Sequence, residues 1–135
     1  MSKLFRFAPL FVACVLAALL IPNQPAMSEN DDTQKLLRHV VMFKFKDDAS
    51  DADVQKVVDA FRALPTKIPQ IHAFEFGTDN SPEGLADGFT HCFLVTFKSE
   101  ADRDVYLPHD AHKAFVEVLK PHLDKVMVID YWAKK

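Results

Sequence analysis

The segment LRHVVMFKF, residues 37–45, sets the architecture that the rest of the chain follows. It is dense in β-branched and aromatic residues, which favour strands. Alternate residues fall on two faces, and both faces begin apolar, whereas an antiparallel strand with one wet side usually alternates apolar with polar residues. The segment therefore predicts a strand with neither face plainly exposed. The first face holds His39, Val41, Phe43 and Phe45, and the second holds Val40, Met42 and Lys44.

The remaining elements follow in an order that defines the fold class. Ser50 with Asp53 is a capping signature, and apolar residues then recur at helical spacing until Pro65. Ser99 begins a short second helix, which Pro108 separates from a third. This β-α-β-β-α-β order predicts an α+β, ferredoxin-like domain with its helices on one face of a four-stranded antiparallel sheet. The predicted elements after the first strand are a helix at 51–64, strands at 71–78 and 89–98, helices at 99–106 and after 108, and a strand at 125–132.

One face of the predicted sheet is rich in aromatic residues, and we expect it to lie away from the helices. Left in water, it would expose an apolar patch of several hundred Å², which soluble monomers rarely tolerate. A second copy of the chain, packed face to face across a two-fold axis, would cover this surface. The sequence therefore predicts a homodimer. The residues assigned to this face are Phe43, Phe45, Phe93, Val95, Phe97, Val128 and Trp132.

The proton-handling side chains of the chain concentrate in the turn YLPHDAH, residues 106–112. This turn brings the phenol of Tyr106, two imidazoles and a carboxylate together at the start of a predicted helix. Two further histidines, His39 and His91, occupy matching positions in their strands, so we expect both to open on one cavity with the turn. The apolar residues expected to line the same cavity for a ligand are Val41, Phe43 and Phe93.

His112 and Tyr106 can be given complementary roles in proton transfer. Imidazole titrates near neutrality, so a desolvated His112 could remove a proton from the carbon beside a carbonyl, while the Tyr106 phenol stabilises the enolate. Two other interpretations stay open: a ligand pocket without catalysis, and histidines that only fix a helix onto the sheet. A metal site from His39, His91 and His112 lacks supporting cysteine or carboxylate spacing, so no metal is predicted. Asp110 is expected to cap the third helix rather than to act as a base.

The first 28 residues have the pattern of a secretory signal peptide. Lys3 and Arg6 precede an apolar run from Ala8 to Ile21, which is too short to span a bilayer comfortably. Small residues at Ala26 and Ser28 offer a cleavage site. We therefore predict a signal peptide at 1–28, a flexible leader at 29–35 and the folded domain at 36–135. Export to the periplasm or the extracellular space follows, with no membrane attachment after cleavage; a retained membrane-anchoring N-terminus is the alternative.

The net charge and the cysteine content limit which partners and which disulfides the chain can have. Cleavage removes two basic residues and no acidic one, so the net charge changes from −3 to −5. A protein that binds nucleic acid needs a basic face to neutralise phosphates, so nucleic acid is not expected as a partner. Only Cys92 remains in the mature chain, which therefore cannot form an internal disulfide. We expect Cys92 to be a small buried apolar residue in its strand.

Four separated motifs occur in a fixed order along the chain: LRHVVMFKFK at 37–46, GFTH at 88–91, the 106–112 turn and VIDY at 128–131. Together they resemble the Dabb family, the stress-responsive dimeric α+β barrel domain. The resemblance covers about residues 36–133. In the turn, members commonly have His-Pro-Ala-His, whereas this chain has His109-Asp110-Ala111-His112 with its proline at Pro108.

The resemblance implies a homodimer whose two sheets form a barrel, with a pocket between sheet and helices in each subunit. The family is similar to a plant polyketide cyclase that needs no cofactor, in which a histidine and a tyrosine perform acid-base chemistry. By motif position these residues correspond to His112 and Tyr106, with His39 and His91 as further pocket histidines. The implied function is a cofactor-free cyclase or lyase that binds a small apolar or keto-bearing molecule. A non-catalytic ligand-binding or stress-related module is the alternative.

Other enzymes share this fold, among them cofactor-free monooxygenases and haem-degrading enzymes. The 106–112 turn favours the Dabb family over both. The sequence contains no phosphate-binding glycine loop, nucleophile elbow or redox cysteine pair. No cofactor is therefore predicted.

Overall fold

The computed structural model describes residues 35–134, which form one four-stranded antiparallel sheet with its helices on one face. The β-α-β-β-α-β order and the ferredoxin-like class are confirmed, with two short helices in the second helical position. The predicted signal peptide, and all but the last residue of the predicted leader, lie outside the described residues. The elements are β1 (Leu37–Phe45), α1 (Asp51–Arg62), a 3-10 turn (Leu64–Thr66), β2 (Ala73–Thr78), β3 (His91–Phe97), α2 (Glu100–Tyr106), α3 (Asp110–Leu119) and β4 (Leu123–Trp132).

The strand order in the sheet is β2-β3-β1-β4, so β1 and β3 are central and β2 and β4 are the edges. Every neighbouring pair is antiparallel. The connection from β2 to β3 runs through residues 79–90, where Gly84 and Gly88 have positive φ angles. Gly88 has a φ angle of 83°, a conformation that favours glycine because it has no Cβ. Between residues 35 and 134 no helix is long and apolar enough to cross a membrane.

Side-chain caps begin the helices. The Ser50 hydroxyl accepts from Asp53 N–H at 3.2 Å and the Asp53 carboxylate accepts from Ser50 N–H at 3.3 Å, which is the predicted capping box of α1. The cap of α3 is His109, whose Nδ1 accepts from Ala111 N–H at 3.1 Å. The prediction that Asp110 caps α3 is therefore wrong: Asp110 is the first residue inside the helix, and its carboxylate is fully exposed.

The core lies between the sheet and the helices. Phe61 of α1 packs against Phe93 of β3 and Phe115 of α3, with 4.5 Å between ring centroids in each pair. Phe43 of β1 lies 5.2 Å from Phe93 by the same measure. Burial of these rings supplies the main driving force for folding, because the free energy gained scales with the apolar area removed from water.

The aromatic face of the sheet is the one that the helices cover, so the prediction that it lies away from them is wrong. Phe43, Phe93, Val95 and Phe97 are each 1% exposed or less. Alternation could not decide between the faces, because β1 and β3 are apolar on both. The uncovered side, called the open face below, is aliphatic rather than aromatic. It includes Val40, Met42, Leu94, Met127, Ile129 and Tyr131.

Two further predictions are corrected on the exposed parts of the sheet. Cys92 belongs to the open face and is exposed, so it is not a buried residue. Val128 and Trp132 lie on the helix side of β4, but the helices leave both side chains exposed. The open face and the β4 edge therefore present a large apolar surface in the single chain.

Candidate functional site

His39 and Asp130 stand directly opposite each other on β1 and β4, so their side chains leave the sheet together on the helix side. His39 Nδ1 lies 2.6 Å from Asp130 Oδ1. Because an ionised carboxylate only accepts hydrogen bonds, Nδ1 carries the proton of this bond, and Nε2 lies on the other side of the ring. His39 is 5% exposed, so this charge-assisted bond is screened little on the imidazole side.

Arg103 of α2 binds the other oxygen of the same carboxylate. Its Nη1 donates to Asp130 Oδ2 at 2.9 Å, while Asp130 Oδ1 is occupied by His39. Arg103 and Tyr106 are three residues apart and lie on one side of α2. A single helical turn therefore delivers a guanidinium and a phenol to the same region.

Tyr106, the last residue of α2, is completely buried. Its ring lies 5.8 Å from the His39 ring and 5.2 Å from the Phe97 ring, between centroids. Its hydroxyl has no hydrogen-bond partner among the described residues. Burial raises the pKa of the Tyr106 phenol far above its ordinary value, so the group stays protonated and remains a hydrogen-bond donor.

His112 lies in the first turn of α3 and packs over Tyr106, with 4.4 Å between ring centroids. Its Nδ1 donates to the Leu107 carbonyl at 2.9 Å, which leaves the lone pair on Nε2. Burial lowers the pKa of His112; the bond to Leu107 opposes this, and the nearby His39 and His109 lower the pKa further. The ring is therefore a neutral base at pH 7, and the positive end of the α3 dipole favours the same form.

His39, Tyr106 and His112 thus form a continuous group of rings, called the HYH cluster below. It contains two imidazoles and a phenol that stays protonated and can donate a hydrogen bond. Bases and a donor side by side can remove a proton and stabilise the negative charge that results. Two members of the cluster, His112 and Tyr106, were predicted together from the 106–112 turn.

His91 is not part of this cluster. In the register of the central strands, His91 pairs with Phe43, whereas His39 pairs with Val95. The two histidines are thus four residues apart along β1, which is about 13 Å at the rise of a strand. The expectation that both open on one cavity is wrong. The reason is that β1 and β3 are antiparallel, so residues near the start of each strand lie at opposite ends of the pair.

The apolar residues expected to line the cavity, Val41, Phe43 and Phe93, separate the two histidines along the sheet. They are 6%, 1% and 0% exposed and belong to the core. The His91 ring packs against Phe45 and Phe93 on the helix side of the sheet. Residue 91 also borders a groove of about 530 Å³ between the open face and the 79–90 connection, together with Met42, Leu85, Cys92 and Met127. Burial lowers the pKa of His91 as well.

The described residues offer little for a metal. Between residues 35 and 134 no three histidine, cysteine or acidic side chains lie close enough together to hold a metal ion. Beside the HYH cluster, the helix side of β4 carries the exposed Val128 and Trp132, one on each side of Asp130. The surface next to the cluster is therefore apolar.

Comparison with known proteins identifies the family to which the chain belongs. The sequence model of one family, the stress-responsive A/B barrel domain (Dabb), matches residues 37–133, which are most of the folded part. The chain belongs to the Dabb family.

This Dabb chain is similar to two plant proteins by sequence. It is 37% identical over 95 residues to the stress-response A/B barrel domain-containing protein HS1 of Arabidopsis thaliana, covering 70% of this chain and 87% of that one. It is 28% identical over 99 residues to olivetolic acid cyclase of Cannabis sativa, covering 73% and 98%. The family thus includes at least one protein named as a cyclase.

Solved structures agree with the fold. A hydroxynitrile lyase from Passiflora edulis superposes with a TM-score of 0.71 at 27% identity, covering 76% of this chain and 96% of that one. A protein from Bacteroides fragilis, described as dimeric with a ferredoxin-like fold, superposes with a TM-score of 0.61 at 25% identity, covering 73% and 96%.

Sequence reasoning missed Asp130 and Arg103 as site residues of this Dabb chain. Asp130 had a usable signal, because a carboxylate interrupts the apolar alternation of Val126, Val128 and Trp132 on β4. An acidic residue on the covered side of a strand needs a partner. Arg103 had no such signal, because a charged residue on a short helix is most often solvated.

Proposed function

We propose that the chain is an exported, homodimeric Dabb protein that binds a small, largely apolar or keto-bearing molecule and acts on it as a cofactor-independent lyase or cyclase. The HYH cluster carries the chemistry, with His112 as base and Tyr106 as hydrogen-bond donor. The supporting relatives are the olivetolic acid cyclase and the hydroxynitrile lyase, whose names specify two such activities.

The observation that carries the proposal is the unpartnered Tyr106 hydroxyl. A buried hydroxyl without a hydrogen bond costs about 1–3 kcal/mol of folding free energy. Tyr106 has this cost, since it is fully buried and its hydroxyl has no partner among residues 35–134. Strain of this kind collects at functional sites, where a ligand supplies the missing partner. A carbonyl or enolate oxygen is a suitable acceptor.

The proposed step is proton abstraction next to a carbonyl. His112 Nε2 takes the proton, the C–H electron pair becomes the enolate, and the enolate oxygen accepts a hydrogen bond from the Tyr106 phenol. Both pKa shifts suit these roles: burial keeps His112 neutral as a base and keeps Tyr106 protonated as a donor. The resulting carbanion can close a ring by attacking a second carbonyl, or can be reprotonated.

The apolar part of the ligand is assigned to the helix side of β4. Val128 and Trp132 are exposed there and flank Asp130. An aliphatic or aryl group on these side chains would leave water, which stabilises the complex by about 25 cal/mol for each Å² buried. The anionic groups of a nucleotide or sugar phosphate would find one guanidinium, Arg103, already bound to Asp130.

Dimerisation and export complete the proposal. The open face is a broad apolar surface, and the similar protein from Bacteroides fragilis is described as dimeric, so a second copy is its proposed cover. Export rests on the sequence of residues 1–28, whose mature product would begin near Glu29. Mass spectrometry of the chain recovered from its native host tests this: a mass that retains residues 1–28 contradicts export with cleavage.

The test of the chemistry uses two probes, acetophenone in D₂O and mandelonitrile. We expect the wild-type protein to accelerate deuterium exchange into the acetophenone methyl group, followed by NMR, or cyanide release from mandelonitrile. In the second reaction the base takes the hydroxyl proton, the C–CN bond breaks with its electron pair leaving on cyanide, and the O–H electron pair forms the carbonyl of benzaldehyde. The variant His112→Ala should lose about 10²–10⁴-fold of this rate, the usual contribution of a general base. The matched control is His72→Ala, which removes an exposed histidine outside the cluster. Equal rates for His112→Ala and wild type rule out His112 as the base.

A second candidate is a binding module that performs no chemistry. The complete burial of Tyr106 favours it, because a reacting atom must then reach a hydroxyl that has no exposed surface in the free protein. Binding of acetophenone without exchange, and of mandelonitrile without cyanide release, would select this candidate. Co-purified small molecules identified by mass spectrometry would name its ligand.

A further inference from the structure

We propose that Arg103 is a positioning residue: by holding one oxygen of Asp130, it fixes the orientation of that side chain and so determines which of its terminal atoms meets His39 Nδ1 beside the HYH cluster. The inference rests on the proposed function for its catalytic meaning. Its geometric content can be tested without any substrate.

The two carboxylate oxygens of Asp130 are bound by different partners. Oδ1 lies 2.6 Å from His39 Nδ1, and Oδ2 lies 2.9 Å from Arg103 Nη1. A guanidinium has only donors, so whatever group stands at position 130 must offer Arg103 an acceptor. The side chain at this position is thereby held in one orientation about its terminal bond.

The orientation of Asp130 determines which of its atoms meets His39. With Oδ2 bound to Arg103, Oδ1 accepts the proton of Nδ1, and Nε2 lies on the other side of the ring. The titratable and charged groups packed around His39 are Asp130 from β4, Arg103 and Tyr106 from α2, and His112 from α3. Among them, Asp130 contacts His39 Nδ1, and Arg103 holds Asp130 in the orientation that makes this contact.

The test replaces the carboxylate at position 130 with an amide, which has one donor group and one acceptor oxygen. In Asp130→Asn, Arg103 requires the amide oxygen, so the amide NH₂ must turn toward His39 and donate to Nδ1. The His39 proton then moves to Nε2. In the double variant Asp130→Asn with Arg103→Met, the amide can turn round and offer its oxygen, and the Nδ1–H form returns. Long-range ¹H–¹⁵N NMR spectra of histidine-labelled protein distinguish the two tautomers.

Two controls isolate the role of Arg103. Asp130→Asn with Arg103→Lys keeps a donor-only group and should retain the Nε2–H form. Asp130→Asn with Arg62→Met removes a surface arginine of α1 that pairs with Asp59, and should also retain it. If Asp130→Asn shows the same tautomer with and without Arg103, the proposal is overturned.

A separate measurement serves if Asp130→Asn does not fold. Arg103→Met alone frees the Asp130 carboxylate, so the His39 Nδ1–H proton should exchange with water at least about tenfold faster than in Arg62→Met. Equal exchange rates overturn the proposal. Failure of the proposed function looks different, because the tautomers would then follow Arg103 as described while wild-type protein leaves acetophenone and mandelonitrile unchanged.

Discussion

Tyr106 lies on α2 with its hydroxyl buried and unpaired among the described residues. We predict that Tyr106→Phe raises the free energy of unfolding by about 1–3 kcal/mol, because the variant removes a buried polar atom that bonds to nothing. The same variant should lose exchange activity on acetophenone, because the enolate loses its donor. Urea unfolding and the exchange assay measure the two effects.

The matched control for this variant is Tyr131→Phe, whose hydroxyl lies on the open face in an exposed side chain. It should retain exchange activity. A loss of more than about 2 kcal/mol in Tyr106→Phe would show that the hydroxyl has a stabilising partner, contrary to the structure.

His112 gives a prediction about pH. Its pKa in the folded protein is lowered below the ordinary value of 6.5, so the unfolded chain binds more protons there than the folded one. Stability is then complete above about pH 6.5 and falls as the pH drops from 6.5 through the lowered folded value. We expect the urea midpoint of the wild type to fall between pH 7.5 and pH 5.5, and to fall less in His112→Asn. An equal fall in both proteins would contradict the lowered pKa.

The residues of the site could be predicted where they are neighbours in the sequence. Tyr106 and His112 belong to one turn, and the turn itself predicts that their side chains lie close together. The contact of His39 with Asp130 joins residues 91 positions apart, and that of Arg103 with Asp130 joins residues 27 apart. Both depend on the register of β1 against β4 and on the placement of α2, which local patterns do not contain.

At the scale of elements, the cap of α2 offers a prediction. Ser99 accepts from Asp102 N–H at 3.1 Å and begins the short helix that carries Arg103 and Tyr106. We predict that Ser99→Ala lowers the free energy of unfolding by about 1 kcal/mol, the usual cost of losing such a cap. In Ser81→Ala, a hydroxyl is removed from the exposed 79–90 connection, and the change should stay within about 0.5 kcal/mol. Equal effects of the two variants would show that the cap is not important.

The elements themselves could be predicted almost completely. Period-2 and helical patterns, with the caps at Ser50 and Ser99, gave the observed order with small errors at the ends. The side of the sheet that meets the helices could not be predicted, because β1 and β3 are apolar on both faces. That choice is made by the direction in which the α1 connection leaves β1, a three-dimensional property that the alternation does not encode.

For the whole molecule, the open face predicts association. Ile129 lies in its middle row and is about half exposed in the single chain. We predict that wild-type protein is a dimer by light scattering and that Ile129→Glu is largely a monomer, because the substitution would bury an unpaired charge between two sheets. Val105→Glu changes an equally exposed residue on α2 and should remain dimeric. Wild-type protein that is monomeric at high concentration contradicts the dimer.

The central claim is that a small keto-bearing ligand binds at the HYH cluster and not in the groove beside His91. The most direct measurement is an NMR titration of the wild-type protein with acetophenone, following the Tyr106 Cζ and the ring nitrogens of His112 and His91. We predict that the Tyr106 Cζ and His112 Nε2 resonances shift together, as the hydroxyl gains its acceptor, while the His91 resonances stay constant. Shifts at His91 and Cys92 with none at Tyr106 would contradict it.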